Sequence, residues 1–446
     1  MARRSPADSS VDAEWTAAVQ LTRGAQLMTG NLSRRAFLGT AAAAALAARR
    51  GRAAPSARLT IGMIGAGGMN GGHLGGLLTQ ADVQVLAVAD PQQSHREGMA
   101  QTVNRHYGNQ DCRAYNDFRE LVARDDLDAV MIATPDHWHA LCAIAAARAG
   151  KHIYSEKPFS RTLAEGRAMV EAVGRHGVVF QHGTQQRSDG LFRRACELVR
   201  NGYLGKLQRV HVSAPGGAQR DAGQPGPVPP GVDWDLWLGP APWSPYSPQR
   251  ITSNYWYFTE DYSAGGFISG WGIHHVDIAQ WGLGTELTGP SEIEGTAVFP
   301  EGGIADTPIH WDVTYRFGDG PPVRFTSDDI GPVGVTFEGQ AGSVWVTRGS
   351  WRATPESLMQ LPPSPDEIHL PRSADHHRNW LDAIKTGAPT IAPPEVGHRS
   401  QTICLLSDIA VRLGRKLRWD PAAERVIGDD SANRLLSRAM REPWSL

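Results

Sequence analysis

The sequence predicts an α/β protein with a parallel sheet in its first half and a mainly antiparallel sheet in its second half. Short apolar strands alternate with helical segments over residues 58–185, which is the pattern of βαβ units. A glycine-rich turn separates the first strand from the first helix. Beyond residue 308, short segments with apolar side chains at every second position predict antiparallel strands covered by helices on one face.

The composition is that of a globular protein with an ample core. Of 446 residues, 41% are hydrophobic and 20% are charged, and the formal net charge is −2. These values exclude a disordered chain, a collagen-like repeat and a nucleic-acid binder that works through bulk positive charge. No apolar run is long enough to predict a membrane span. The four cysteines are widely spaced, which predicts buried free thiols.

The N-terminal residues carry a motif typical of an export signal. The segment Ser33–Leu38 contains a twin arginine and precedes an alanine-rich apolar stretch, with further arginines up to Arg52. This pattern resembles a Tat signal, and the alternative is a surface helix with a basic end. Because Tat substrates fold before they cross the membrane, the motif predicts a periplasmic or otherwise exported protein that carries a cofactor loaded in the cytoplasm.

Five short apolar strands are predicted in the first half of the chain, and turn residues bound each of them. A helical segment to about Gln80 follows the first strand, and another over residues 140–149 follows the third. The predicted strands are Leu59–Ile64, Val83–Ala89, Asp128–Thr134, Lys151–Ser155 and Gly177–Gln181.

The second half begins with a strand at Leu207–Ser213, after which residues 216–266 form a long loop rich in glycine, proline, tyrosine and tryptophan. A loop of this length is uncommon in a compact domain unless it binds something. One helix is predicted near His274–Trp281, and two more follow Ser373. The further predicted strands are Ile309–Phe317, Val323–Ser327, Val333–Phe337 and Ser343–Thr347.

The turn after the first strand is predicted to hold the pyrophosphate of a dinucleotide. Glycines let the backbone approach the phosphates, whose charge meets the N–H groups at the start of a helix. Asp90 ends the second strand, where its carboxylate can accept hydrogen bonds from both ribose hydroxyls of NAD. It would repel the 2′-phosphate of NADP, so NAD is the predicted cofactor and NADP the alternative. The turn residues predicted to bind it are Gly65, Gly67, Gly68, Met69 and Asn70, the last standing at the third glycine position.

A lysine at the end of another strand is the candidate proton donor. Lys157 lies between Glu156 and Pro158, and a lysine fixed in this way can exchange a proton with a reacting hydroxyl. The alternative is a Lys-Pro surface turn.

These motifs together resemble the Gfo/Idh/MocA family, which is named after glucose-fructose oxidoreductase, inositol dehydrogenase and a rhizopine-catabolism protein. The resemblance covers essentially everything after residue 58. Its motifs are the glycine turn, Asp90, Ala133–Pro135, His139, Gly150–His152, Glu156–Pro158, Asn201–Gly205, Asp233–Pro240, Gly272–Asp277 and Trp419–Pro421.

The resemblance implies an N-terminal Rossmann domain with a doubly wound parallel sheet and a C-terminal α/β domain with an open, mainly antiparallel sheet. It also implies a homo-oligomer, either a dimer or a tetramer. The predicted segments are a Tat-type signal and linker (1–57), a Rossmann NAD(P)-binding domain (58–185), a substrate and oligomerisation domain (186–372), and C-terminal helices with a tail (373–446).

The resemblance also implies roles for single residues. Lys157 is the catalytic lysine, and His274 matches the catalytic histidine. Many members have an aspartate four residues before that histidine to orient the imidazole, but this chain has Gly270. Asp277 lies on the same helical face and is a second catalytic candidate, or else a brace of the helix. The further residues predicted in the cofactor site are Thr134, Pro135, His139 and Glu156.

Polar and aromatic residues near the domain junction are the candidates for binding a small-molecule sugar. Polar side chains after the last Rossmann strand can line a cleft or hold the turn, and aromatic side chains can stack on sugar rings or pack the loop. His137 and His139 are too few for a metal site, and none is predicted. His376 and His377 are expected at the surface. The predicted substrate residues are Gln185, Arg187, Trp256, Tyr257, Trp271 and His275, with Trp234 and Trp237 as further stacking candidates.

Export restricts the chemistry, because there is no free NAD pool outside the cytoplasm. We therefore predict an NAD(P)-dependent oxidoreductase that acts on a CH–OH group of a sugar or sugar derivative by hydride transfer, with its cofactor tightly bound. One alternative is a glycoside hydrolase that oxidises its substrate transiently and needs an extra base, such as His274 or Tyr255. Another alternative is a non-catalytic sugar or nucleotide sensor.

Overall fold

The structure is a computed structural model, and it describes residues 58–221 and 223–446. Residues Arg58–Leu446 form one compact unit. The predicted export signal lies outside the described residues. Within those residues, no helix is long and apolar enough to cross a membrane.

The first sheet has six parallel strands in the order β3-β2-β1-β4-β5-β6. This is the strand order of a doubly wound dinucleotide-binding fold, and it confirms the predicted parallel sheet. Arg113–Tyr115 was not predicted, because it has only three residues and two of them are exposed. The strands are β1 (Leu59–Ile64), β2 (Val83–Ala89), β3 (Arg113–Tyr115), β4 (Ala129–Ile132), β5 (His152–Ser155) and β6 (Phe180–His182).

Helices cover both faces of this sheet, which is why its strands are nearly continuous apolar runs. In β1 five of six residues are buried. The helices are α1 (Gly68–Leu78), α2 (Gln93–Tyr107), α3 (Phe118–Val122), α4 (His139–Arg148) and α5 (Leu163–His176).

The second sheet has nine strands in the order β13-β12-β11-β7-β10-β9-β8-β14-β15. Only β7 and β10 pair in parallel, so the prediction of a mainly antiparallel sheet is confirmed. The strands are β7 (Leu207–Ala214), β8 (Glu292–Val298), β9 (His310–Arg316), β10 (Val323–Ser327), β11 (Gly334–Gly339), β12 (Ser343–Thr347), β13 (Ser350–Thr354), β14 (Leu417–Asp420) and β15 (Arg425–Val426).

Three long helices pack on this second sheet and share its hydrophobic core. They are α6 (Gly190–Arg200), α10 (Gly272–Leu283) and α12 (Pro394–Leu413). Every residue of α10 from Gly272 to Gly282 is buried, so side chains on all sides of this helix face protein. The short helices of the second half are α7 (Trp234–Leu238), α8 (Ser253–Trp256), α9 (Phe267–Gly270) and α13 (Asp430–Arg434).

The C-terminal segment returns to the first sheet. Helix α11 (His376–Thr386) contributes Trp380 and Leu381 to the core around β1. The surface prediction for His376 is wrong, because its ring is buried and its Nε2 lies 2.8 Å from the carbonyl oxygen of His182. All four cysteines are buried and unpaired, as predicted.

Candidate functional site

A cleft of about 600 Å³ opens at the carboxyl ends of β1, β2 and β4. The strand order reverses between β1 and β4, and such a switch point is where open parallel sheets bind ligands. The cleft extends from the glycine turn to a polar cluster around Lys157. The predicted site residues that line it are Gly65, Gly67, Gly68, Met69, Asp90, Thr134, Pro135, Glu156, Lys157, Trp256 and Tyr257.

The glycine turn is shaped for a ligand to approach its backbone. Gly65 has φ of +83°, and a Cβ there would lie 2.7 Å from the carbonyl oxygen of Ala133. At Gly67 and Gly68 a Cβ would meet nothing within 4 Å, so the space before α1 is open. Gly67 has no side chain to cap α1, which leaves the N–H groups of its first turn available to an anion.

Asp90 lies at the other side of the turn and fixes the backbone around it. Its Oδ2 accepts a hydrogen bond of 2.7 Å from the Ala66 N–H, and its Oδ1 accepts one of 2.8 Å from the Gln92 N–H. Burial raises the pKa of this carboxyl above its usual value, against the opposing effect of those two N–H groups. The carboxyl still lines the cleft, where its remaining lone pairs can accept hydroxyl donors.

Glu156 and Lys157 follow β5 and form the polar end of the cleft. The Glu156 carboxylate is bonded at 3.0 Å to His73 Nε2 and at 2.6 Å to Gln185 Nε2. Burial alone would raise its pKa, but the His73 hydrogen bond and the charge of Lys157 hold the pKa of Glu156 well below its usual range. The carboxylate is therefore ionised at neutral pH.

Lys157 makes its closest polar contact with a tyrosine rather than with the neighbouring carboxylate. Its Nζ donates to Tyr257 Oη at 3.0 Å, whereas Nζ and Glu156 Oε2 are 4.0 Å apart. Burial alone would lower the pKa of Lys157, but Tyr257 and Glu156 outweigh burial and raise this pKa above its usual value. Lys157 is therefore an ammonium at neutral pH, with its tip in the cleft.

Three predicted site residues brace the cleft from behind instead of lining it. Asn70 is fully buried and donates through Nδ2 to the carbonyl oxygens of Ile64 and Gly65. His139 lies within hydrogen-bond distance of the carbonyl oxygens of Thr134 and Pro158, so it holds together the two loops that carry predicted cofactor residues. The third is Gln185, whose amide is bonded to Glu156.

Arg187 and Asp277, predicted as a substrate and a catalytic residue, form an ion pair with each other outside the cleft lining. Arg187 donates to both carboxylate oxygens of Asp277, at 2.6 and 2.9 Å, and Ser400 donates to the same carboxylate. The two side chains are 4% and 1% exposed and neither lines the cleft. Because each charge is satisfied by the other, the pair is a buried brace between the domain junction and α10.

The two histidines of α10 also lie outside the cleft lining. His275, a predicted substrate residue, is fully buried, and its Nδ1 is bonded to the carbonyl oxygen of Ser213. The His274 ring packs edge-on against Trp271, and its buried Nδ1 has no hydrogen-bond partner among the described residues. Trp271 lies beneath the guanidinium of Arg348, 4.6 Å from ring to charge, and not in the cleft wall.

The remaining candidates contact the long loop, and one of them, Trp237, also lines the cleft. His137 is within hydrogen-bond distance of the carbonyl oxygens of Trp237 and Tyr262, and Trp234 stacks on Trp237. The hydroxyl of Tyr255 donates to Asp221 and does not line the cleft. Among the described residues, no group of three potential metal ligands comes together.

Two polar residues of the site were not found from the sequence. Asp136 lines the cleft, and burial raises its pKa to about 7 against the opposing charges of Lys157 and Arg161. Its place directly after Thr134-Pro135 was the available signal. His73 contacts Glu156 from α1, but the two are 83 positions apart and no local pattern links them.

The cleft fits NAD. Open backbone at a helix N-terminus suits the pyrophosphate, and Asp90 lies where a ribose acceptor is required. Thr134 in the cleft wall has a buried Oγ1 without a partner among the described residues, which is a further donor or acceptor for a ligand.

Comparison with known proteins gives matches over both halves of the chain. Residues 59–184 match the family model described as "Oxidoreductase family, NAD-binding Rossmann fold", and residues 193–446 match "Oxidoreductase family, C-terminal alpha/beta domain". These two models belong to one family and together span nearly all described residues.

Two curated relatives act on polyols or sugar derivatives according to their names. Myo-inositol 2-dehydrogenase of Thermotoga maritima is 29% identical over 40% of this chain and 48% of its own length. Levoglucosan dehydrogenase of Pseudarthrobacter phenanthrenivorans is 28% identical over 60% of this chain and 59% of its own length. The chain thus matches only about half to three-fifths of the length of each relative.

Among solved structures, GenD2 from gentamicin A biosynthesis, determined in complex with NAD, superposes with a TM-score of 0.60. The alignment covers 82% of this chain and 98% of GenD2 at 20% identity. At that identity the likeness shows the shared fold.

Proposed function

Because the chain belongs to the Gfo/Idh/MocA oxidoreductase family, we propose that it oxidises and reduces a CH–OH group of a sugar or sugar derivative with NAD as its cofactor. The observation that carries the proposal is the Lys157 ammonium in a cleft that continues to the glycine turn and Asp90. The names of the two curated relatives support a carbohydrate or polyol as substrate.

The residues divide the work along the cleft. The N–H groups at the start of α1 and the Asp90 carboxylate would hold the pyrophosphate and a ribose. The second carboxylate, Glu156, is fixed by His73 and Gln185 and keeps negative charge beside the reacting end. When bound, NAD would accept the hydride in oxidation and return it in reduction.

Lys157 handles the proton of the reacting hydroxyl. In the reduction direction its ammonium donates a proton to the oxygen as the carbonyl becomes a hydroxyl. In the oxidation direction the unprotonated amine accepts the hydroxyl proton, so oxidation requires Lys157 to lose a proton first. Because the pKa of Lys157 is raised, we expect the oxidation rate to increase with pH through the alkaline range.

We extend the proposal to the compartment. A chain exported by its twin-arginine segment would meet no free NAD pool, so the cofactor would stay bound and be regenerated by a second substrate. Mass spectrometry of the denatured, freshly purified protein tests this point, because a tightly bound dinucleotide is then released. A protein that releases none and binds NAD only weakly contradicts the tight-binding part of the proposal.

A sugar screen that follows reduced nicotinamide by its absorbance tests the activity. We expect a sugar or polyol to cause lasting reduction of the nicotinamide. This reduction should be abolished in Lys157→Ala and retained in Lys206→Ala, which removes an exposed lysine. NAD affinity should be the same in both variants. Release of an aglycone without net reduction would instead identify the transient-oxidation hydrolase, and saturable sugar binding without turnover would identify a sensor.

A further inference from the structure

The ring of Tyr257 occupies the space that a side chain at position 270 would need. A Cβ at Gly270 would lie 2.2 Å from Cε1 and 2.5 Å from Oη of Tyr257, well inside van der Waals contact. The Tyr257 hydroxyl also donates to the Gly270 carbonyl oxygen at 3.1 Å. A side chain at position 270 and the tyrosine ring in this orientation therefore exclude each other.

The same hydroxyl is the hydrogen-bond acceptor of the reactive lysine. With Lys157 Nζ at 3.0 Å and the Gly270 carbonyl at 3.1 Å, Tyr257 Oη joins the ammonium to the backbone at the end of α9. Tyr257 and Lys157 both line the cleft, and Nζ lies 5.5 Å from the centre of the tyrosine ring. Tyr257 thus fixes the tip of the long, flexible Lys157 side chain beside the part of the cleft where a substrate hydroxyl would bind.

His274 has no comparable support. Its Nδ1 is buried without a partner among the described residues, and Gly270 offers no carboxylate to orient the ring. Burial, together with the charges of Lys157 and Arg348, holds its pKa well below the usual value, so the ring is neutral at neutral pH. At neutral pH this ring is therefore not an imidazolium acid, and its Nδ1 has no orienting partner among the described residues.

We propose that Tyr257 is the positioning residue of Lys157, and that proton handling in this chain depends on the Lys157–Tyr257 pair instead of His274. In oxidation, the substrate O–H bond breaks and an N–H bond forms at Lys157 Nζ, while the C–H bond of the hydroxyl-bearing carbon breaks and its hydride would pass to NAD. The new ammonium then donates to Tyr257 Oη, and reduction returns the proton along the same route. This inference rests on the proposed function.

The protonation of Lys157 can be measured without any substrate. The chain has five lysines, so protein labelled with carbon-13 at lysine Cε gives five side-chain resonances, and Lys157→Ala assigns the relevant one. A neutral hydroxyl acceptor stabilises the ammonium, so Tyr257→Phe should lower the pKa of Lys157, by about one unit. The titratable groups that face Lys157 and must be considered are Glu156, Asp136, Tyr257, His139, His182 and His274.

Tyr255→Phe is the matched control, because it removes a tyrosine hydroxyl two positions away that is bonded to Asp221 outside the cleft lining. It should leave the Lys157 titration unchanged. In the active enzyme, Tyr257→Phe should lower kcat about tenfold or more, with NAD affinity retained, and move the acid limb of the oxidation profile to lower pH. An identical Lys157 titration in wild type and Tyr257→Phe would overturn the proposal.

Thermal unfolding of single and double variants tests separately whether a side chain at position 270 and the Tyr257 ring compete for the same space. Gly270→Ala should lower Tm by about 2–6 °C in the presence of Tyr257, because the new methyl group overlaps the ring. In the Tyr257→Ala background the same substitution should change Tm little. Equal changes of Tm in both backgrounds would show that a side chain at position 270 and the Tyr257 ring do not compete for the same space. Neither the lysine titration nor this unfolding experiment needs a sugar. A failed sugar screen would therefore refute the proposed function while these two experiments still decide whether Tyr257 holds Lys157.

Discussion

Replacing Asp277 with asparagine tests whether this residue is structural or catalytic. The substitution keeps the side-chain shape but leaves the Arg187 guanidinium buried, with only 4% of its side chain exposed, and without its counter-charge. Two charge-assisted hydrogen bonds, of 2.6 and 2.9 Å, are weakened or lost. Breaking one side of a buried ion pair typically destabilises a protein by about 3–5 kcal/mol.

The measurement is the free energy of unfolding in urea, taken beside NAD affinity and turnover at a temperature where the variant is still folded. We expect Asp277→Asn to lose about 3–5 kcal/mol of stability while the folded fraction keeps near-normal NAD affinity and turnover. The double variant Arg187→Met with Asp277→Leu should recover most of that loss, because two apolar side chains of similar volume leave no unpaired charge.

The opposite pattern would refute this reasoning. If Asp277→Asn unfolds at the wild-type urea concentration but loses turnover, the carboxylate takes part in the reaction and the ion pair is not its main function. If the double variant is as unstable as the single one, the destabilisation comes from packing around α10 and not from an uncompensated charge.

Three further predictions concern the cleft. Gly65→Ala forces a side chain into a left-handed backbone against the Ala133 carbonyl and should weaken NAD binding by about tenfold or more in calorimetric titration, whereas Gly75→Ala, at an open helical position, should not. Asp90→Asn should lower the ratio of the NADP dissociation constant to the NAD dissociation constant about tenfold, because the charge that repels the 2′-phosphate is removed. Burial raises the pKa of Asp136 in the folded protein from its usual value of 3.8 to about 7, so between these two pH values the folded state binds a proton that the unfolded state does not. The stabilisation that comes from protonated Asp136 should therefore be lost as pH rises from about 4 to 7. The unfolding free energy of wild type should fall relative to that of Asp136→Asn over the same pH range.

The parts of the fold that were predictable are those where burial is continuous along the chain. Strands β1 and β4 are apolar runs between turn signals, and Val323–Ser327 was predicted with the bounds it has in the structure. Strand β8 was missed because only Ile293 of its seven residues is buried, so the segment shows little apolar periodicity. The return of α11 to the first sheet could not be seen, since its partners around β1 lie some 300 positions away.

The same distinction applies to the site. The glycine turn and Asp90 were found because the chemistry of a dinucleotide site fixes their spacing along one βαβ unit. Tyr257 was identified as a cleft residue but assigned to sugar stacking, because nothing in the sequence shows that its ring fills the space at Gly270. Asp277 was a catalytic candidate because it lies on the helical face of His274. Its partner Arg187 lies 90 positions away, and such an ion pair leaves no local pattern in the sequence.

The hydrogen-bonding capacity that each charged group has left explains why Lys157 and Asp277 have different roles. Asp277 accepts from a guanidinium and a hydroxyl and has no access to the cleft, so its lone pairs are occupied by the protein itself. Lys157 has three N–H donors, and among the described residues only Tyr257 receives one of them within hydrogen-bond distance. Glu156 stabilises the ammonium from 4.0 Å, a separation too long for Nζ to donate to Oε2. Glu156 Oε1 accepts from His73 and Gln185, and Oε2 accepts from the Lys157 backbone N–H. The ammonium is thereby kept charged and fixed with donors still directed to a ligand, which is the condition that a proton donor in this cleft must meet.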